Sequence, residues 1–271
     1  MMTQDFLFAF ALTVFAGLAT GIGSALAFFA KRTNTKLLSV SMGFSAGVMI
    51  YVSFVEILTK AKDSLTQQLG HSNGTWLTVA AFFAGIAIMA LIDKLIPAFE
   101  NPHEPHLIEE MQSLHKHNHR YTGLFRTGMF TAIAVAIHNF PEGLATFASA
   151  LKEPRVGIPI AIAVAIHNIP EGIAVSVPIF YATGSKKKAF FYSFASGLAE
   201  PLGALIGYAI LYRFFNDIVF GVLFASVGGI MVFISLDELL PGAEKYGQHH
   251  LCIYGLIAGM AVMALSLLLF I

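Results

Sequence analysis

Residues Ala132–Ala145 read AIAVAIHNFPEGLA, and residues Ala161–Ala174 repeat them as AIAVAIHNIPEGIA. The two copies differ at only two of fourteen positions. Each copy places a histidine, an asparagine, a proline and a glutamate inside an apolar run, where burial of polar groups costs the most free energy. Ionisable residues inside membrane segments are functional candidates by default. The repeated phrase therefore predicts a membrane protein whose chemistry lies within the bilayer.

The composition of the whole chain supports this interpretation. Hydrophobic residues make up 56% of the 271 residues, charged residues 12%, and the mean hydropathy is +0.73. Soluble domains have about 45–50% apolar and about 25% charged residues. The formal net charge of zero gives no basic field that would attract nucleic acid. The expected partners are therefore small ions and the lipid bilayer.

Apolar runs long enough to cross a bilayer as helices occur eight times along the chain. Long continuous runs contradict an outer-membrane β-barrel, which needs short strands of alternating polarity. The first run follows no basic region of the kind that begins a cleavable signal peptide, so we expect it to be retained. The sequence predicts one all-α polytopic domain over residues 1–271, with both ends mature. The eight predicted spans are about 6–30, 37–58, 76–92, 127–151, 156–182, 189–212, 218–236 and 251–271.

Lys and Arg in the connecting loops predict the orientation of these spans. Eleven lie on one side of the membrane and five on the other. Because basic loops stay in the cytoplasm, both termini are expected to be extracytoplasmic. The long loop at about 97–126 is then cytoplasmic and holds five of the ten histidines. This loop is either a solvated linker or a weak metal-capturing or regulatory segment. Its histidines are His103, His106, His115, His117 and His119.

Seven polar residues fall near the middle of the fourth, fifth and sixth predicted spans. Helical neighbours at i, i+3 and i+4 share a face, so each copy of the repeated phrase forms a half-site. Glu142, Glu171 and Glu200 stand 29 residues apart each time, which places one carboxylate on each of three consecutive helices. The candidate metal-binding residues are His138, Asn139, Glu142, His167, Asn168, Glu171 and Glu200.

Three carboxylates at the bilayer centre need a counter-charge. No Lys or Arg lies in the core of any predicted span, which argues against ion pairs. Protonated glutamates in a proton relay are one alternative, and a bound cation is the other. The histidines and asparagines favour the cation, and imidazole beside carboxylate suits zinc, iron and similar divalent ions. A binuclear site bridged by Glu142 and Glu171 is compatible with the charge but is not required.

A proline follows each histidine–asparagine pair, at Pro141 and Pro170. Proline removes a helix hydrogen bond and frees the carbonyl group four residues earlier. We therefore expect both helices to kink beside the ligands and to expose backbone oxygen to a polar pathway. Irregular helices that carry a midplane site in repeated segments are typical of transporters.

With these residues in view, the chain resembles the ZIP (Zrt-, Irt-like) family of divalent-metal transporters. The resemblance extends over nearly the whole chain. It is carried by GLATGIGSALAFF, GFSAGVMIYVSFVEIL, HNFPEGLATF, HNIPEGIAVSVP, YATGSKKKAF, SGLAE and GGIMVFISLDELLP. It implies eight helices, extracytoplasmic ends and a metal path between the fourth and fifth helices, which agrees with the orientation predicted from charge.

The resemblance also implies roles for individual residues. It implies that Glu142, His167 and Glu171 bind zinc. A neighbouring site associated with iron is implied for Asn139, Glu142, Asn168, Glu171 and Glu200. His138 completes the motif of the fourth span and is our added ligand candidate.

Four further acids lie near the ends of predicted spans. Under a transport interpretation they would be entry and release points for the ion. They are equally well interpreted as hydrated interfacial charges, with Asp93 beside Lys94 as a helix-end pair. The four acids are Glu56, Asp93, Asp237 and Glu238.

The expected function is a carrier that moves zinc, iron and other divalent transition metals into the cytoplasm across the cell membrane, the inner membrane in a Gram-negative host. One alternative is an intramembrane metalloenzyme in which the metal activates water. The absence of an HExxH motif and of a spare general base argues against it. A second alternative is a metal exporter of the cation-diffusion type. A homodimer is a candidate assembly that the sequence leaves open.

Overall fold

The structure is a computed structural model that describes residues 2–28, 35–95, 121–152, 154–211, 216–246 and 249–269. Regular structure in these ranges is helical throughout, as the sequence predicts. The α-helices are α1 (Met2–Ala27), α2 (Thr35–Val52), α3 (Leu58–Leu69), α4 (His71–Leu95), α5 (Tyr121–Lys152), α6 (Pro154–Thr183), α7 (Lys186–Gly197), α8 (Ala199–Leu211), α9 (Asp217–Ile234), α10 (Leu240–Tyr246) and α11 (His249–Leu269).

Seven segments among the described residues are long and apolar enough to cross a membrane. This finding confirms a multi-pass membrane protein. Helix α5 encloses the predicted fourth span at 127–151 but is not among the seven, so the count of eight stays a prediction. The histidines of the 97–126 loop lie outside the described residues. The seven segments are Gln4–Ala25, Ser39–Leu69, His71–Lys94, Gly157–Val177, Lys186–Ala209, Asp217–Glu244 and His249–Leu269.

The described helices pack as two bundles. Helix α6 packs along α1 and α5, while α7 and α8 complete this first bundle against α1, α5 and α6. In the second bundle α2 packs along α11, and α9 packs along α4 and α3. The bundles meet where α2 and α11 contact α6 and where α9 contacts α5. Contacts within each bundle are much more extensive than contacts between the bundles.

Glycines allow the helices of the first bundle to touch through their backbones. A β-carbon at Gly17 would lie 2.5 Å from the carbonyl oxygen of Gly197, and one at Gly197 would lie 2.4 Å from the carbonyl oxygen of Gly17. A β-carbon at Gly172 would lie 1.9 Å from the carbonyl oxygen of Thr20. The glycine pattern predicts this close approach, since small residues form helix interfaces in lipid. Helix α1 is therefore held directly against the repeated phrase.

Two π-helical turns widen the ends of helices in the second bundle. Ser53–Ile57 joins α2 to α3, and Ser235–Leu239 joins α9 to α10. In each turn the first serine hydroxyl donates to the carbonyl oxygen four residues earlier, at 2.6 Å and 2.8 Å respectively. Such back-bonding competes with regular helix hydrogen bonds. Hydropathy alone predicts regular helices here, because it carries no information on helix pitch.

The helices that carry the repeated phrases are continuous in the structure. Pro141 lies inside α5 and Pro170 inside α6. Each helix extends more than a turn beyond its proline, so the prolines do not end the helices. The expected kinks stay a prediction.

Candidate metal centre

Helices α5, α6 and α8 bring six of the seven predicted residues into the interior of the first bundle. Asn139, Asn168 and Glu200 have no solvent-exposed surface, and His167, Glu142 and Glu171 are 1%, 3% and 6% exposed. His167 stands at the middle residue of the candidate span Gly157–Val177. Burial of so many polar side chains inside apolar helices is costly unless a partner compensates it.

His167 and Glu142 form the central contact of this group. The Nε2 atom of His167 lies 3.1 Å from each carboxylate oxygen of Glu142. Ligand bonds from zinc to imidazole nitrogen and carboxylate oxygen are about 2.0–2.2 Å, so two ligands of one tetrahedral ion stand about 3.3 Å apart. The two side chains are therefore close to the separation that a shared ion requires.

Asn168 connects Glu200 to helix α1. Its Nδ2 group donates to the Oε1 atom of Glu200 and to the carbonyl oxygen of Ala16, the latter at 2.9 Å. On the other phrase, Asn139 Nδ2 donates to the carbonyl oxygen of Ser196 at 3.4 Å. Both amides thus use their N–H groups on protein oxygens, which orients each amide oxygen away from those contacts.

Several buried oxygens in this region accept no hydrogen bond from the described residues. They include Oδ1 of Asn139, Oδ1 of Asn168 and Oε2 of Glu200. None of the described Lys and Arg side chains is buried, so these oxygens have no basic partner within the described residues. Buried acceptors without donors are rare in proteins and need an explanation such as an ion. These oxygens are therefore free to accept a cation or another donor.

The structure does not bring all the predicted ligands into one cluster. No group of three His, Cys, Asp or Glu side chains among the described residues stands close enough to hold one ion. The contacts described for this group include His167 with Glu142 and Asn168 with Glu200. Complete coordination of an ion by these residues would therefore need side-chain rearrangement.

Two predicted residues lie at the edge of what the structure describes. His138 is placed in α5 and Glu238 in the π-helical turn Ser235–Leu239, but the side chains of both residues lie outside the described part of the structure. Glu56 stands 3.9 Å from Lys60, an ordinary helix ion pair one turn apart. That contact favours the interfacial interpretation of Glu56.

The structure also shows site neighbours that sequence reasoning missed. The carbonyl oxygen of Gly172 accepts hydrogen bonds from the hydroxyl groups of Ser193 at 3.1 Å and Ser24 at 3.4 Å.

The sixth span is locally broken at Leu198, between α7 and α8 and two residues before Glu200. Gly197 followed four residues later by Pro201 is the sequence pattern that could have indicated this break, since proline cannot donate to the Gly197 carbonyl.

Comparison with known families identifies the family of this chain. The ZIP Zinc transporter family profile matches residues 2–93 and 98–267. This chain belongs to the ZIP family. The match spans both repeated phrases and all seven candidate ligands.

Relatives with similar sequences extend over essentially the whole chain. A Zinc transporter ZupT of Clostridium perfringens is 63% identical over 99% of this chain and 98% of its own length. Those of Nitratidesulfovibrio vulgaris and Streptococcus mutans are 62% and 63% identical, over 97% and 100% of both chains respectively. The ZIP family consists of transporters, so the expectation of a transporter rather than an intramembrane enzyme is confirmed.

Proposed function

We propose that this ZIP protein imports zinc, and also iron and other divalent transition-metal ions, into the cytoplasm. Its relatives are named as zinc transporters, which supports zinc as the main cargo. The ions are substrates and not resident cofactors. The observation that carries the proposal is the buried His167–Glu142 contact, in a bundle whose described Lys and Arg side chains all lie outside its interior.

The two side-chain pairs suggest two neighbouring subsites. His167, Glu142 and Glu171 offer one imidazole and two carboxylates, a set that suits zinc. Asn168 and Glu200 offer oxygen atoms only, and harder oxygen ligands favour ions such as iron over softer competitors. Asn139 and the carboxylates Glu142 and Glu171, which both subsites share, join the second subsite, and His138 of α5 is an added ligand candidate for the first.

The proposed topology has eight spans, with α5 as the fourth. Both termini are then extracytoplasmic, and the histidine-containing loop at 97–126 is cytoplasmic. The chain is one domain over residues 1–271 in the cell membrane, which is the inner membrane of a Gram-negative host. A homodimer stays a prediction.

The two-bundle arrangement offers a way to expose the site first to one side of the membrane and then to the other. The candidate ligands all lie on α5, α6 and α8 of the first bundle. Movement of this bundle against the second would change access to the site without disassembling it. Packing between the bundles is limited compared with packing inside them, which makes such movement the least costly one.

The decisive experiment is zinc uptake into sealed vesicles that contain the purified protein. Glu142→Ala removes a ligand that both subsites share, so we expect uptake to fall by a factor of about 100 or more. Glu244→Ala is the matched control, because Glu244 is an exposed acid outside this bundle and should leave uptake unchanged. Normal uptake by Glu142→Ala would refute the site, and absent uptake by the unmodified protein would refute the carrier function.

A further inference from the structure

One end of the interface between the bundles is a seam of apolar residues. A narrow cleft there is lined by Leu144, Ala145 and Ala148 of α5 and by residues of α9. Both alanines are 4% exposed, so the seam is closed in this structure. The α9 side is formed by Phe220, Leu223, Phe224 and Val227. Two alanines and one leucine of the site-bearing helix thus face larger apolar side chains of the second bundle.

Lys152 lies beside one end of this α5–α9 seam, where it contacts Asp217 and the lining residue Phe220. Its Nζ atom lies 3.2 Å from Oδ1 of Asp217, at the start of α9. The same Nζ atom lies 4.0 Å from the centre of the Phe220 ring, within the range of cation–π contacts. Lys152 is the last residue of α5, ten residues and about 15 Å along the helix from Glu142. The side chain therefore joins the helix that bears the site to the other bundle.

The acceptor side of this contact is fixed by its own bundle. Gln68 of α3 donates to Oδ2 of Asp217 at 3.2 Å, and Ser64 of α3 donates to the Asp217 carbonyl oxygen at 2.8 Å. The side chain of Asn216 caps α9 by accepting from two backbone N–H groups at 3.0 Å and 2.9 Å. An acid in the first turn of a helix is also stabilised by the helix dipole. Asp217 is thus a preorganised receptor for a cation from the opposite bundle.

We propose that Lys152 and Asp217 form a latch that holds the α5–α9 seam closed and releases it when the carrier exposes its site toward this end. The inference rests on the proposed carrier function, because only a carrier needs the seam to open. In the proposed topology the latch lies at the extracytoplasmic end. Its side chains are 47% and 51% exposed, so the contact is weak enough to break in each cycle.

The latch can be tested by the accessibility of the seam. Ala148→Cys places a thiol in the closed seam, and its labelling rate with a maleimide reports opening in the purified, zinc-free protein. The only native cysteine, Cys252, is buried, so the unmodified chain serves as the blank. Lys152→Ala and Asp217→Ala should each raise the labelling rate about two- to fivefold, since each removes a contact of the strength of an exposed ion pair.

The pairing itself is tested by combined variants. Lys152→Ala with Asp217→Ala should label no faster than the faster single variant, and the charge swap Lys152→Asp with Asp217→Lys should recover part of the slow rate. Lys60→Ala is the matched control, because it removes a half-exposed lysine that pairs with Glu56 one turn away in the same helical segment. Leu223→Cys, on the α9 side, is a second reporter if Ala148→Cys does not give stable protein.

The outcomes separate this proposal from the proposed function. A rate in Lys152→Ala equal to that in Lys60→Ala, with either reporter, would overturn the latch. Faster labelling in Lys152→Ala together with failed zinc uptake by the unmodified protein would overturn the carrier function while leaving the seam contact in place. Faster labelling that the charge swap reduces again would support the latch.

Discussion

His167 is the only described imidazole in the candidate centre, and its nitrogen is the softest ligand there. Its Nε2 atom faces the carboxylate of Glu142 at 3.1 Å from each oxygen. All other described candidates offer oxygen. The identity of this one side chain should therefore control the preference between zinc and harder ions.

We expect His167→Asp to shift transport from zinc toward manganese. The aspartate replaces nitrogen by oxygen at the same buried position, which favours harder ions. Competition between the two metals in the vesicle uptake assay measures the ratio of their uptake rates. His249→Asp is the control, since His249 is exposed and pairs with Glu244 away from the centre. An unchanged ratio in His167→Asp would show that imidazole is not the discriminating group.

At the scale of elements, glycine positions decide how closely the site-bearing helices approach. Gly143 follows Glu142, and a β-carbon there would lie 2.1 Å from the carbonyl oxygen of Glu200. This contact fixes α5 against α8 where two candidate carboxylates stand. The distance between Glu142 and Glu200 thus depends on the absence of a side chain at Gly143.

Gly143→Ala should separate α5 from α8 and destabilise the protein by about 1–3 kcal/mol, the usual cost of overpacking. Zinc uptake should fall with it, because Glu142 and Glu200 move apart. Gly228→Ala is the matched control: its β-carbon would meet its nearest atom, on Ile57, at an ordinary 3.4 Å. Thermal unfolding of both purified variants measures the difference. Equal stability of the two variants would contradict the close contact.

At the scale of the whole molecule, the number of spans determines where the two ends of the chain lie. Seven described segments qualify as spans, and α5 would be the eighth. An even number places both termini on the same side of the membrane and an odd number places them on opposite sides. The position of the ends therefore tests whether α5 crosses.

We expect single cysteines at Gln4 and at Leu269 to react with a membrane-impermeant maleimide in intact cells. Gln4 begins the first candidate span and Leu269 ends the last, so each position stands at a surface of the membrane. A cysteine at Ser113 in the 97–126 loop should react only after permeabilisation. Native Cys252 is buried and supplies the blank. Labelling of only one of the two ends in intact cells would contradict eight spans.

Much of the site was predictable because each repeated phrase carries its polar residues within one helical turn. Periodicity places Asn139 with Glu142, and Asn168 with Glu171, without any knowledge of the fold. The partners across helices could not be predicted in this way. The carbonyl oxygens of Ala16 and Ser196, which accept the two asparagine amides, come from other helices and have no side-chain pattern.

Hydropathy and helical spacing are local properties, so the amino-acid sequence was enough to establish the membrane class, the all-helical architecture, the family and the candidate ligands. The packed structure was needed to show that His167 meets Glu142 while Asn168 meets Glu200, that the helices divide into two bundles, and that Lys152 reaches Asp217 across them. The physical reason is that lipid tails are as apolar as the helix surfaces, so hydrophobicity does not select which faces meet. Backbone contacts at glycine and individual hydrogen bonds make that selection, and both depend on the packed arrangement of distant segments.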